Sequence, residues 1–137
     1  SLIAAVAEKA IAMGRVEDAA KLLDRPLKDV LAKASTPGRP REEGRAAAEK
    51  AVDLALDLAQ KLGRGEWIDY VFDLYSARQE LLPQPVIDEL YAVLRKVRFD
   101  VTRFRNYLQV VRDLELGPSQ RFLVSRLEGL EATIGLK

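Results

Sequence analysis

The chain has 137 residues, 48% hydrophobic and 31% charged, with 22 Lys and Arg against 21 Asp and Glu for a net charge of +1. That length suits one domain with a substantial core, and the near-neutral balance gives no overall field favouring nucleic acid or an acidic membrane. Cysteine and histidine are both absent, which excludes disulfides, thiolate zinc sites, cysteine nucleophiles, histidine-dependent triads and the commonest metal ligand.

The chain opens at Ser1 without a methionine, which reads as a piece of a longer protein or a processed one. It has no apolar run of about 18 residues, so no membrane-spanning helix is expected. The opening SLIAAVAEKAIAMG lacks a basic start and holds Glu8 and Lys9, so it is not read as a signal peptide. Leu2, Ile3, Val6, Ala7, Ala10 and Met13 recur at helical spacing and form one apolar face, which Gly14 ends. A second helix starts in RVEDAAKLL, with Val16, Ala19, Ala20, Leu22 and Leu23 on its apolar side. Pro26 predicts a break or kink, with PLKDVLAKA as a short helix of its own.

Ser35 to Gly44, STPGRPREEG, places prolines and glycines among charges with no apolar anchor and predicts a mobile loop over 35–44. The next helix runs from Arg45 to Gly63, with Ala51, Leu54, Ala55, Leu58 and Leu62 as its inner stripe. EWIDYVFDLYSA follows and holds the only tryptophan of the chain. Trp67, Ile68, Tyr70, Val71, Phe72, Leu74 and Tyr75 leave almost no polar side, which predicts a central helix packed between neighbours rather than a ligand face. Its phenol and indole groups then need hydrogen-bond partners. LLPQP interrupts the chain at Pro83 and Pro85. Val86, Leu90, Val93, Leu94 and Val97 mark another amphipathic helix, and Asp100 is the expected N-cap of the next, which carries Phe104, Leu108, Val111 and Leu114. After LGPSQ a last helix carries Phe122, Leu123, Leu127, Leu130 and Ile134, with Gly135 past its end. No segment alternates as a strand does, so the expected fold is all-α, about six to eight helices as antiparallel hairpins in a short stack.

Superposing Gly14 on Gly63, an offset of 49 residues, aligns MGRVE with LGRGE, Ile3 with Val52, Ala10 with Ala59, Leu22 with Val71 and Leu23 with Phe72. Both units read as helix, glycine-arginine turn, helix. This resembles the tetratricopeptide (TPR) type of helical hairpin, with small residues in the first helix and a glycine near the turn. Ala7, Gly14, Ala19 and Leu23 fall near positions such a repeat fills, whereas the offset is longer than the usual ~34 residues and the later helices match poorly. The resemblance covers about half the chain and implies a TPR-like α-solenoid whose work is contact with proteins. GEWIDYVFDLYSA with PQPVIDELYAVLRKVR also resembles the helical regions that accompany forkhead-associated domains in bacterial signalling proteins. The phosphothreonine-reading module itself is absent, so this resemblance implies only an adaptor segment of a cytoplasmic bacterial signalling protein.

Arg95, Lys96, Arg98, Arg103, Arg105 and Arg112 form the densest basic run, interleaved with Phe99, Phe104 and Tyr107. Arginine forks beside rings suit carboxylates and phosphates. The run admits three readings: a solvated helical face, a site for a protein or an acidic or phosphorylated peptide, and a nucleic-acid surface, the last weakened by the balanced charge. The expected partner-binding residues are Arg95, Lys96, Arg98, Arg103, Arg105 and Tyr107. Asp53 with Asp57 and Asp69 with Asp73 stand one turn apart, but with no histidine, phosphate loop or ExxH partner they compose no catalytic or metal site. Pairs of Asp57 with Lys61, and of Asp69 or Asp73 with Arg78, explain them instead. No enzyme activity and no cofactor are expected. The N-terminal helix has few charges and many alanines, so its outer face is weakly capped. It packs on another domain or forms a homodimer with a second copy, or it is an ordinary end helix with an alanine-rich skin.

Overall fold

Gly14 and Gly63 both take left-handed backbone conformations, at φ of +81° and +66°, and each ends one helix so that the next can fold back beside it. In the computed structural model, which describes residues 2–135, these turns belong to the first two hairpins of an all-α stack. Among the described residues there are seven helices and no strand: α1 (Leu2–Ala12), α2 (Val16–Ala34), α3 (Arg45–Leu62), α4 (Glu66–Arg78), α5 (Gln84–Lys96), α6 (Val101–Arg112) and α7 (Pro118–Gly135). None of them is long and apolar enough to cross a membrane.

The helices form two rows. α1 packs on α2 and α3 on α4, while α2 also packs on α3 and α4, α4 on α6, α3 on α5, and α7 on both α5 and α6. The even-numbered helices thus make one layer and α3, α5 and α7 the other. A single buried cluster runs through the stack from Ala7 and Ile11 to Leu127 and Leu130.

The ring-rich segment is interior, as its composition predicts. On α4, Ile68, Val71, Phe72, Leu74 and Tyr75 are buried. Phe72 meets Phe104 and Tyr107 of α6 with ring centroids 5.1 and 5.8 Å apart. The buried polar tips are largely paired: the Tyr70 hydroxyl donates to the Leu27 carbonyl at 2.7 Å, and that of Tyr107 accepts from the Leu82 amide at 2.8 Å and donates to the Glu80 carbonyl at 3.0 Å. The indole N–H of Trp67 finds no partner among the described residues.

Several local expectations hold. Asp100 caps α6 by accepting from the Thr102 amide at 2.9 Å, and Pro85 sits in the first turn of α5, where its missing N–H costs nothing. Others are corrected. α2 runs through Pro26 without a break. An interior proline costs about 3 kcal/mol, and burial of Leu23 and Leu27 on either side of it holds the helix together. Gly135 lies in α7 rather than beyond it, and Phe122 points outward, 63% exposed. In α1 the single apolar face expected from the spacing is divided. Ala7 and Ile11 face the core, and the larger Leu2, Ile3, Val6 and Met13 face outward.

Candidate interaction surface

The basic run does not gather into one patch. Arg95 and Lys96 end α5, Arg98 lies in the linker, and Arg103, Arg105 and Arg112 project from α6. Arg103 pairs with Asp73 of α4 and lies 3.8 Å from Asp100. Arg105 reaches Glu131 at 3.5 Å, and Arg112 reaches Glu128 at 2.9 Å, both on α7. These arginines therefore clasp α6 to its neighbours, which neutralises them. Arg95, Lys96 and Arg98 are exposed, and neither Lys96 nor Arg98 is ion-paired among the described residues. Tyr107, expected at a partner surface, is fully buried with its hydroxyl used twice internally. That expectation is corrected, since a packed ring with no exposed atom has nothing to offer a partner.

The paired carboxylates also serve the fold. Asp57 holds Lys61 at 3.0 Å, as the spacing predicts. Asp69 instead accepts from the Asp100 amide at 2.8 Å, and Asp73 meets Arg103 rather than Arg78. Burial pushes the carboxyls of Asp53, Asp69, Asp73 and Glu89 above their ordinary range. Among the described residues no group of carboxylates converges as metal ligands would.

Arg78 is free for another task, and it accounts for the loop. Its side chain is only 6% exposed. Its guanidinium donates to the carbonyls of Arg41 and Glu43 at 2.7 and 3.2 Å and grips Glu80 at 2.6 Å. Arg41 returns a bond to the Gln79 carbonyl at 3.3 Å. The segment expected to be mobile is thus fastened to the end of α4, leaving a cavity of about 320 Å³ lined by Ser35, Thr36, Arg39, Arg41, Glu43 and Arg78 among others. Every guanidinium there already has a carbonyl or carboxylate partner.

Among the described residues, most of the exposed large apolar side chains lie on the outside of α1 and at its end. Leu2 is 81% exposed, Met13 63%, Val6 48% and Ile3 47%, with Leu22 of α2 at 43%. Scattered exposed apolar residues are ordinary, but three of these lie on one helix, with Met13 just past its end. The opposite end differs. α7 exposes Phe122 among Ser119, Gln120, Arg121, Ser125, Glu128 and Thr133, the polar skin that closes a helical stack. Arg15, at the turn beside α1, is exposed, and its one ion-pair partner among the described residues is Asp18, at 3.6 Å. Sequence periodicity found this stripe without showing which way it faces. Beside α1, an apolar groove of about 320 Å³ is lined by Ala4, Leu23, Pro26, Leu27, Val30, Ala46, Ala47, Lys50, Ala51 and Leu54, and so shows which part of α2 lies over α3. No family model, curated protein or solved structure matches this chain.

Proposed function

We propose that the chain is a non-catalytic protein–protein interaction module, an adaptor or scaffold segment built as a short TPR-like array, with the outer face of α1 as its contact surface. The observation that carries this reading is the asymmetry of the two ends: large apolar side chains stand exposed on α1, while α7 presents a mostly polar skin. Burying a Leu or Val side chain is worth about 1.5–3 kcal/mol, so covering this face provides a driving force. Arg15 at its margin supplies an orienting charge. A cytoplasmic bacterial signalling setting belongs to the proposal on resemblance alone.

Affinity capture from the native cells, with the wild-type chain and with Val6→Asp/Met13→Asp as bait, tests the reading. The expected result is a protein retained by the wild type and lost from the variant, both baits having the same helical circular dichroism. Identical capture profiles would overturn it. Salt-sensitive binding of generic duplex or single strands, abolished by reversing Arg98, Arg103 and Arg105, would replace it with a nucleic-acid function.

A further inference from the structure

The two N-terminal hairpins correspond at an offset of 49 residues, and three corresponding pairs are buried alike: Ala7 with Leu56, Ala19 with Ile68, and Leu23 with Phe72. The exposed positions of the first unit behave differently. Leu2, Val6 and Met13 correspond to Ala51, Ala55 and Leu62. Ala51 and Ala55 are buried, and Leu62 packs against the core. Each set lies on one helical stripe. Only Lys9, opposite Leu58, breaks the apolar match.

What covers the stripe in the second unit is α2. At one end Leu27 and Val30 line a groove with Ala47, Ala51 and Leu54, and at the other Val16 lies beside Lys61 and Leu62. α2 therefore runs antiparallel to α3 along its full stripe. At the turn, Arg64 pairs with Glu17 in the first turn of α2 and lies 3.8 Å from Glu66 of its own unit. Arg15 occupies the place of Arg64 at the same offset, and its only ion-pair partner among the described residues is Asp18.

We infer that the outer face of α1 receives an amphipathic α-helix, antiparallel to α1, with a small and branched apolar stripe spaced as in α2 and an acidic residue in its first turn beside Arg15. This inference rests on the interaction reading above and names the occupant. A second copy fits less well. Its own α2 is committed to its own stack, so it can offer only its α1. A single amphipathic helix is what covers the corresponding stripe of α3, where α2 lies along it, with anchors at the spacing such docking uses.

The probe is a fluorescent synthetic peptide copying residues 16–34, because α2 fills the equivalent place on α3. Fluorescence anisotropy with the whole chain should give saturable binding, weakened at least tenfold by Val6→Asp. Met13→Asp should do the same, so the result does not depend on one variant folding. Because Val6 is exposed, this loss separates docking on α1 from exchange with the chain's own α2. Arg15→Glu should weaken binding several-fold, and a peptide with Glu17→Arg should restore it. Absent binding, or binding indifferent to these substitutions, overturns the inference. So does a concentration-dependent dimer in sedimentation that Val6→Asp dissolves, which would assign the face to a second copy. Capture from cells that depends on Val6 and Met13 while the helical peptide fails to bind would leave the interaction reading standing and sink only the helix.

Discussion

The carbonyl oxygen of Arg98 lies 1.8 Å from where a β-carbon on Gly65 would stand, and the α-carbon of Phe99 lies 2.8 Å from that point. The linker between α5 and α6 is pressed against the first turn of α4, and the Asp69 carboxylate seals the contact by accepting the Asp100 amide at 2.8 Å. Gly65 is present for this close approach, since its own φ of −72° suits any residue. Gly65→Ala must push backbone against backbone, and urea denaturation should show a loss of about 3 kcal/mol. Gly129→Ala is the control. The Cβ there meets only the Tyr91 hydroxyl, at 2.8 Å, which can withdraw by giving up its bond to the Arg126 carbonyl; that loss of about 1 kcal/mol is largely offset by alanine's better helix propensity inside α7. Equal effects of the two substitutions would contradict this account.

Arg78 replaces the apolar anchor that the 35–44 segment lacks. Its buried guanidinium holds two loop carbonyls and Glu80 together. Removing one partner of a buried pair costs about 3–5 kcal/mol. Glu80 keeps Arg45 at 2.8 Å, so for Arg78→Ala we expect a loss of about 2–3 kcal/mol. The more specific readout is limited proteolysis: trypsin should cut after Arg41 much faster in Arg78→Ala, while α3 and α5 stay intact. An unchanged cleavage rate would mean that the loop is held by something else.

How far the sequence revealed this molecule depends on how far apart the interacting residues are. Glycine stops, proline starts and apolar spacing are local, and they located the helices, the Asp100 cap and the interior α4. Periodicity shows that Leu2, Val6 and Met13 share a face, but not whether that face looks inward. Pro26 read as a break or a kink, and the break does not occur because of the burial of Leu23 and Leu27, which is tertiary. The basic run admitted a solvated face, a peptide site or a nucleic-acid surface alike, because Asp73, Glu128 and Glu131, which pair with Arg103, Arg112 and Arg105, lie far along the chain. Arg78 carried no local sign of being a clamp. The contact surface we propose was visible only in part, as a weakly capped N-terminal helix. Its detailed shape needed the comparison of burial between corresponding positions.

Gln79 ends α4 in the left-handed region, at φ +53°, the one non-glycine residue with positive φ among those described. Its amide donates to the Ser76 carbonyl, and that of Glu80 to the Tyr75 carbonyl, the helix-stop geometry that glycine usually fills. A side chain there costs about 1–2 kcal/mol, offset in part by the greater freedom that glycine gives the unfolded chain. Gln79→Gly should therefore raise stability by about 0.5–1 kcal/mol, and the Arg41 bond to the residue 79 carbonyl should survive, since it uses only main chain. A destabilised variant would show that the glutamine side chain makes a contribution that its geometry does not reveal.

Buried tyrosines set the alkaline limit of the fold. Burial pushes the Tyr75 phenol up to about 12, with Glu49 and Glu80 adding to the effect. Tyr70 and Tyr107 are also pushed up, chiefly by burial. In the unfolded chain each titrates near the ordinary value of about 10. Between those values the native state holds protons that the unfolded state has released, so stability falls as pH rises. The stabilisation is complete below about pH 10 and disappears as pH passes through the raised values. Denaturant midpoints measured from pH 8 upward should stay level and then drop steeply, with tyrosinate absorbance appearing together with the loss of helical dichroism. Tyr107→Phe separates the two roles of this ring. At neutral pH it leaves the Leu82 amide without its acceptor and should cost about 1–3 kcal/mol, yet with one phenol fewer its decline in alkali should be shallower. Tyrosinate absorbance of more than one phenol forming at the ordinary pH in a chain that remains helical would mean that these rings are open to water, and the account of α4 and α6 as the packed centre would fail.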